Sequence, residues 1–376
     1  MISLTAVAVL GFALTIQGQE KAVTPTEGQA AGESNTFERL AAQARSADKA
    51  DKPDEAIRLY RQALLLRPDW DEGLWSLGRS LYEQEKYEDA SVTLRQFLAQ
   101  DPKAGAGWGL LGASEFQTRQ YWRALDHLQQ GMALGLGKSK GMEITVYYLT
   151  ALLLTRSERY DDAMSLLFSL VASGDTKISL EEPFGLAALR LPLLPSELPE
   201  SQRQMVRMAG AAVLDLQLQK YQEADKLFAE LQEAYPEEPG VHFLRGAYLL
   251  GVRPSDGIRE LKQEIRISPS HVPARIRLAE EFIKEGQVDD GVAQAREAVK
   301  LAPIDPLPHV VLGEGLLALG NAGEGIRELE MARDSSPLMV RVHWDLMRAY
   351  TAAGRSQDAQ HERIEIERLS KQDVTH

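Results

Sequence analysis

Apolar residues recur along most of this chain at steps of three and four, the spacing of helices that bury one face. Between residues 71 and 102 the stripe is Leu74, Leu77, Leu81 and Leu94, with charged residues filling the gaps. A longer period lies over the short one. Pro68 and Pro102 are 34 residues apart, and so are successive members of the set Pro269, Pro303 and Pro337. Proline cannot continue a helix, so each closes one stretch and turns the chain into the next. When each unit is counted so that its proline falls at position 32, small residues come into phase. Position 8 is Ala44, Gly78 and Gly112; position 20 is Ala56, Ala90 and Ala124. Position 24 is Tyr60, Leu94 and Leu128, and the third unit replaces its proline with Leu136. Gly or Ala at two fixed places is what two antiparallel helices need where they approach closest; a larger side chain there would overpack the contact by about 1–3 kcal/mol. The pattern predicts helical hairpins stacked side by side, each burying its apolar face on a neighbour.

Later units keep the phase. A fourth has Tyr147, Ala151, Ala163 and Leu167, preceded by a glycine-rich piece at 135–141. A fifth has Ala212, Ala224, Phe228 and Pro236; a sixth, one residue short in its inner turn, has Gly246, Gly257, Leu261 and Pro269. A seventh has Leu278, Ala279, Gly291, Ala298 and Pro303, and an eighth Leu312, Gly313, Gly325, Ala332 and Pro337. A ninth keeps Leu346, Tyr350 and Ala359 and then becomes charged in HERIEIERLSKQ, as the outer face of a capping helix must. These residues resemble the tetratricopeptide repeat (TPR) family. The second unit, WDEGLWSLGRSLYEQEKYEDASVTLRQFLAQDP, carries the family's L-G, K-Y-x-x-A and terminal proline. An aromatic recurs three residues before the small residue of the second helix, at Tyr87, Tyr121, Tyr160 and Tyr221. The resemblance covers roughly 37–371. It implies an all-α solenoid of about eight to nine hairpins in a right-handed superhelix, with a Pro-rich interruption. The expected divisions are units 1–3 at 37–138, unit 4 at 139–178, the interruption at 179–203, and units 5–9 with a C-terminal capping helix at 204–371.

Two segments stand outside the repeat. Residues 2–16 (ISLTAVAVLGFALTI) are uncharged and largely apolar, too short to span a bilayer comfortably but suited to the h-region of a secretory signal. The first cationic residue is Lys21, so no charged n-region precedes the run. The expectation is a signal peptide at 1–18, a mature start near Gln19 and a disordered linker at 19–36, giving an exported (periplasmic or secreted) protein. The alternative is a cytoplasmic adaptor whose first helix packs onto the array. The second segment holds Pro183, Pro192, Pro195 and Pro199 around FGLAALRLPLLP, and four prolines forbid a long helix. It reads either as a decayed repeat or plug, or as a loop that reaches into a groove or offers a partner site.

Charge and composition narrow the chemistry. Lys+Arg 42 against Asp+Glu 55 gives a net charge of −13, and an acidic chain without a basic block repels phosphate backbones, so no nucleic-acid partner is expected. There is no cysteine, which removes disulfides, thiolate zinc sites and cysteine nucleophiles. Gly107, Gly109 and Gly112 spell G-x-G-x-x-G, but inside a first helix rather than after a strand, so the string belongs to helix packing. His242, His309 and His343 share position 4, which faces the hairpin interior. The acidic pairs Asp69 and Asp71, Glu181 and Glu182, and Asp289 and Asp290 fall at turns and helix starts, where the helix dipole favours them. No catalytic residue, cofactor or metal is expected, and the chain reads as a non-enzyme.

By the resemblance, positions 2, 5, 9, 12 and 13 of each first helix line an inner groove. The candidate peptide-groove residues are Arg45, Trp75, Arg79, Tyr82, Phe116, Tyr148, Phe243, Trp344 and Arg348. Trp, Tyr and Arg are the types that anchor interfaces, although aromatics at positions 5 and 12 also pack along their own helices. Some members of the family clamp a C-terminal carboxylate with Asn and Lys; position 9 here is Arg45, Arg79 and Ala113, with no Asn, so that mode is not expected. Arg45 and Arg79 remain placed to meet an acidic peptide. The leading reading is a scaffold that binds a protein or peptide segment, peripheral to an envelope or secreted complex. A cytoplasmic adaptor and the substrate-recruiting arm of an enzyme complex are the alternatives.

Overall fold

The computed structural model describes residues 27–174 and 179–373, all of their regular structure helical. The expected signal segment lies outside the described residues. Eighteen helices pair into nine hairpins: α1 (Glu27–Lys49) with α2 (Pro53–Leu66), α3 (Asp71–Glu83) with α4 (Tyr87–Gln100), and α5 (Gly105–Gln117) with α6 (Tyr121–Leu134). Next come α7 (Lys140–Arg156) with α8 (Tyr160–Ala172) and, after the short α9 (Glu181–Ala188), α10 (Glu200–Gln217) with α11 (Tyr221–Ala234). The last four pairs are α12 (Val241–Leu250) with α13 (Pro254–Ile267), α14 (Val272–Lys284) with α15 (Val288–Leu301), α16 (Pro306–Ala318) with α17 (Ala322–Ser335), and α18 (Val340–Ala352) with α19 (Ser356–Asp373). Helix α1 begins ten residues before the expected start of the first unit. Residues 27–36, read from sequence as linker, are helical; they carry Ala and Glu and no proline to stop the helix.

The chain divides into two compact units, 1–120 with 130–137, and 121–129 with 138–376, so that α6 contributes to both. In the first unit the small positions sit where the repeat requires them. Ala44, Ala56 and Ala90 are fully buried, and a Cβ on Gly78 would come within 2.8 Å of Leu94. Gly107 lies inside α5, where a Cβ would meet the Phe97 ring at 2.9 Å. In the second unit Gly313 and Gly325 face each other, a Cβ on either falling within about 3 Å of the other's carbonyl oxygen. Within each unit successive hairpins pack second helix on first, α2 on α3 and α4 on α5, then α11 on α12, α13 on α14, α15 on α16 and α17 on α18, which is how single-faced helices find a core.

The inner turn of the hairpins is as regular as the small positions. Position 15 takes a left-handed backbone, at Asp51, Glu85, Arg119, Glu158 and Gln219 in five hairpins and at Gly286, Gly320 and Gly354 in the last three. The sixth hairpin, short by one residue, has Arg253 there at φ −142° and so skips that conformation.

The proline-rich segment is packed. Pro183 sits in the first turn of α9, where its missing N–H costs nothing, and Pro199 is the N-cap of α10. Phe184 and Leu186 are fully buried, and Leu189, Leu194 and Leu198 nearly so. Helix α9 lies against α8 on one side and α10 on the other. It crosses α10 backbone to backbone: a Cβ on Gly210 would lie 1.7 Å from the Glu181 carbonyl oxygen, and one on Gly185 would lie 1.9 Å from that of Val206. Glu182, in the first turn of α9, accepts from Arg203 and Arg207 of α10, each at 2.8 Å.

Candidate functional site

In the first unit the candidate cations are already committed. Arg45 donates to Glu72 through Nε at 2.7 Å and Nη2 at 2.6 Å, and its guanidinium lies 5.3 Å over Trp70. That bond with Glu72 raises the Arg45 pKa further and lowers that of Glu72. Arg79 donates to Asp48 at 2.6 Å. Trp75 is half-buried with its ring on Phe97 (centroids 5.7 Å apart), Tyr82 meets Tyr87 edge-on at 5.5 Å, and Phe116 is half-buried. Trp75 and Tyr82 thus each pack on a ring of the following helix α4, and Arg45 and Arg79 on carboxylates of neighbouring helices.

In the second unit Tyr148 packs half-buried against the core of α7, α8 and α9, and burial, with the Glu182 charge adding, raises its phenol pKa. Trp344, 48% exposed, lines an apolar groove with Met347 and Ile366 between α18 and α19. Arg348 donates to Asp345 at 2.5 Å and lines a separate recess with Glu314 and Leu317. Phe243 is placed differently. Its ring lies 4.7 Å from that of His271, and it faces a pocket of about 320 Å³ walled by α8, α9, α12, α14, α16 and α18. Leu244 and Ile276 continue the apolar floor, and Arg190, Arg277, Glu280 and Arg341 bring charge to the wall. Glu280 binds Arg277 at 3.3 Å and Arg341 at 3.0 Å; Arg341 also reaches Glu314 at 2.8 Å. Sequence reasoning named Phe243 as groove-facing and missed Arg190, whose only signal was its place in the phase-breaking segment.

The position-4 residues, read from sequence as core packing, are buried but also bonded. Nε2 of His242, His309 and His343 meets the carbonyl of Pro236, Pro303 and Pro337 at 2.8, 3.1 and 2.9 Å, and Nδ1 meets Glu260, Glu328 and Glu362 at 2.6, 2.6 and 2.5 Å. Trp108 and Arg275 reach the Pro102 and Pro269 carbonyls in the same way. A carbonyl only accepts, so each Nε2 carries the hydrogen that reaches it. Burial works against protonating His242, but the Glu260 and Pro236 bonds outweigh it and its pKa is raised.

His271 is the opposite case. Its Nδ1 accepts from the Ala274 N–H at 3.1 Å and so caps α14 as a neutral ring. Burial, helped by the positive charge of Arg190, lowers its pKa from 6.5 to about 4. Between those values the unfolded chain takes up a proton here and the folded chain does not, so His271 withdraws about 2–3 kcal/mol of stability as the pH falls through the window. His242 runs the other way: its support is complete below its ordinary value and is lost as the pH rises through the raised one. Urea titrations of the wild type and His271→Asn, which keeps a capping side chain, are expected to diverge as the pH falls from 6.5 to 4. A difference that stays constant with pH contradicts this account.

Among the described residues no group of His, Asp and Glu converges for a metal ion, and no helix is long and apolar enough to cross a membrane. The arrangement is that of a helical-repeat protein: paired helices, small contact positions and a surface of first helices. Residues 49–113 match the family model described as tetratricopeptide repeat, and hairpins of the same register run beyond that match. The chain carries tetratricopeptide repeats over that matched stretch. No curated protein matches it in sequence. Solved structures similar to it include a MamA RS-1 ArsTM double mutant, 16% identical, covering 46% of this chain and 98% of that one with a TM-score of 0.42. MamA residues 41 to the end from Desulfovibrio magneticus RS-1 are 16% identical, covering 45% and 96% with a TM-score of 0.41. Likenesses this distant carry no argument about what this chain does.

Proposed function

We propose that this chain is a non-enzymatic scaffold that holds a segment of another protein along its first helices. The observation that carries this reading is the pocket around Phe243. The first helices of the last four hairpins all contribute to its wall, combining an apolar floor with a charged rim. That mixture suits an extended chain whose side chains alternate between anchoring and solvated roles. Capture from native extract followed by mass spectrometry, run with wild type, Trp75→Ala and Phe243→Ala, tests it. One protein is expected to be held by the wild type and weakened about tenfold by at least one variant, with helical content unchanged. Equal capture by all three moves the interface elsewhere, and a co-purifying small molecule with no protein replaces the reading.

The finer setting, an exported protein peripheral to an envelope complex, rests on the apolar run at residues 2–16. N-terminal sequencing of protein from fractionated cells is expected to begin near Gln19. A retained Met1 favours the cytoplasmic adaptor instead.

A further inference from the structure

Three arginines line the pocket of the second unit, and two of them are neutralised in place. Arg277 is held by Glu280, and Arg341 by Glu280 and Glu314. Arg190, just past the end of α9, lies with its guanidinium 4.5 Å from the centre of the Tyr160 ring and forms no ion pair with any described residue. The pocket's carboxylates do not answer it. Glu280 is shared by two arginines, Asp305 caps α16 through the Leu307 N–H at 3.0 Å, and Asp161 stands at the exposed rim. Among the pocket's arginines, the charge left without a carboxylate is that of Arg190.

The backbone marks the same residue. Of the six described non-glycine residues with positive φ, five occupy the inner turns of hairpins; the sixth is Arg190, at φ 56°. Its turn is held by the bonds from its own N–H to Ala187 and from Leu191 to Leu186, at 3.2 and 2.9 Å. A glycine would take this conformation more easily, yet the position carries a long cation aimed into a pocket. With one face on Tyr160, the guanidinium keeps its N–H edge for a planar, two-oxygen acceptor.

We propose that this pocket binds the side-chain carboxylate of an Asp or Glu in a partner peptide. Arg190 forms the ion pair, and an apolar side chain one or two residues away rests on Phe243 and Ile276. The inference rests on the groove reading above and adds the chemistry of what the groove takes. The volume of about 320 Å³ fits two such side chains rather than a folded surface.

The test is a display selection of random twelve-residue peptides whose C-termini are fused to the carrier, so that only side chains supply carboxylates. The full chain is compared with Arg190→Gln and Phe243→Ala. Gln219 already occupies the same backbone conformation, at φ 60°, so the glutamine variant is expected to fold. The wild type is expected to enrich Asp or Glu within two residues of a large apolar residue. The selected peptides are expected to bind Arg190→Gln about tenfold more weakly. Binding is also expected to raise the His271 pKa, read by NMR, because the bound carboxylate offsets the Arg190 charge that now depresses it. Acidic peptides that bind Arg190→Gln as tightly as the wild type overturn the inference. Apolar peptides with no acidic preference, weakened only by Phe243→Ala, overturn it while leaving the groove reading intact. A wild-type selection that enriches nothing removes both.

Discussion

Gly210→Ala is expected to be among the most damaging single-methyl additions in this chain, costing about 3 kcal/mol and releasing α9. The added carbon would fall 1.7 Å from the Glu181 carbonyl oxygen, 2.6 Å from its carbon and 2.8 Å from the Gly185 nitrogen. All three obstacles are backbone, so no rotamer change relieves the clash and the two helices must separate. Separation exposes Phe184 and Leu186, which are fully buried, and withdraws Arg190 from its pocket. Gly141→Ala is the matched control. It lies in α7 with nothing within 4 Å of its would-be Cβ, so the substitution is expected to stabilise by up to about 1 kcal/mol through helix propensity alone. Urea denaturation and amide exchange in α9 measure both. A Gly210→Ala protein with unchanged α9 protection would mean that the proline-rich segment is not docked as described.

Glu264→Ala is expected to cost about 2–3 kcal/mol and to loosen the start of α12 in particular. The N-cap of α12 is Gly240, at φ 89°, which has no side chain to bond the N–H groups of the first turn. Glu264 supplies that cap from α13, accepting from the Gly240 N–H at 2.9 Å and the Phe243 N–H at 3.1 Å, and it is fully buried. Burial raises its pKa against those two bonds, so the carboxylate is held there at a cost that removal of the side chain does not recover while two donors are stranded. Glu264→Gln keeps an acceptor and is expected to lose only about 1 kcal/mol. Faster exchange at Gly240 and Phe243 in the alanine variant, and not in the glutamine variant, is the distinguishing observation. Equal stability of wild type and Glu264→Ala would refute the shared cap.

The repeat was legible in the sequence because it is enforced by residues that carry their own signal. Gly78, Ala90 and Gly325 recur at fixed offsets, and only small side chains fit where helices meet. The short inner turn of the sixth unit was legible too, as a missing residue before Pro254. The close crossing of Gly185 and Gly210 was not, because it joins two elements outside the period and no offset within a unit points to it. The bonds from Gly240 and Phe243 to Glu264 were hidden for another reason: α12 and α13 form one hairpin, but no sequence signal shows which side chain of α13 meets the start of α12. The histidine position was visible, whereas its partners Glu260, Glu328 and Glu362 emerge only once the two helices of a hairpin are laid together. Of the groove candidates, sequence position identified Phe243, but it could not reveal that Arg45 and Arg79 spend their charge on Glu72 and Asp48.

The left-handed corner at position 15 makes the two ends of the array unequal candidates for engineering. Five hairpins hold an ordinary side chain in a geometry that costs an L-residue about 1–2 kcal/mol, whereas the final three use glycine. The early corners are thus an untapped thermostability reserve, open to glycine grafts that leave every helix face, and so any recognition surface, untouched.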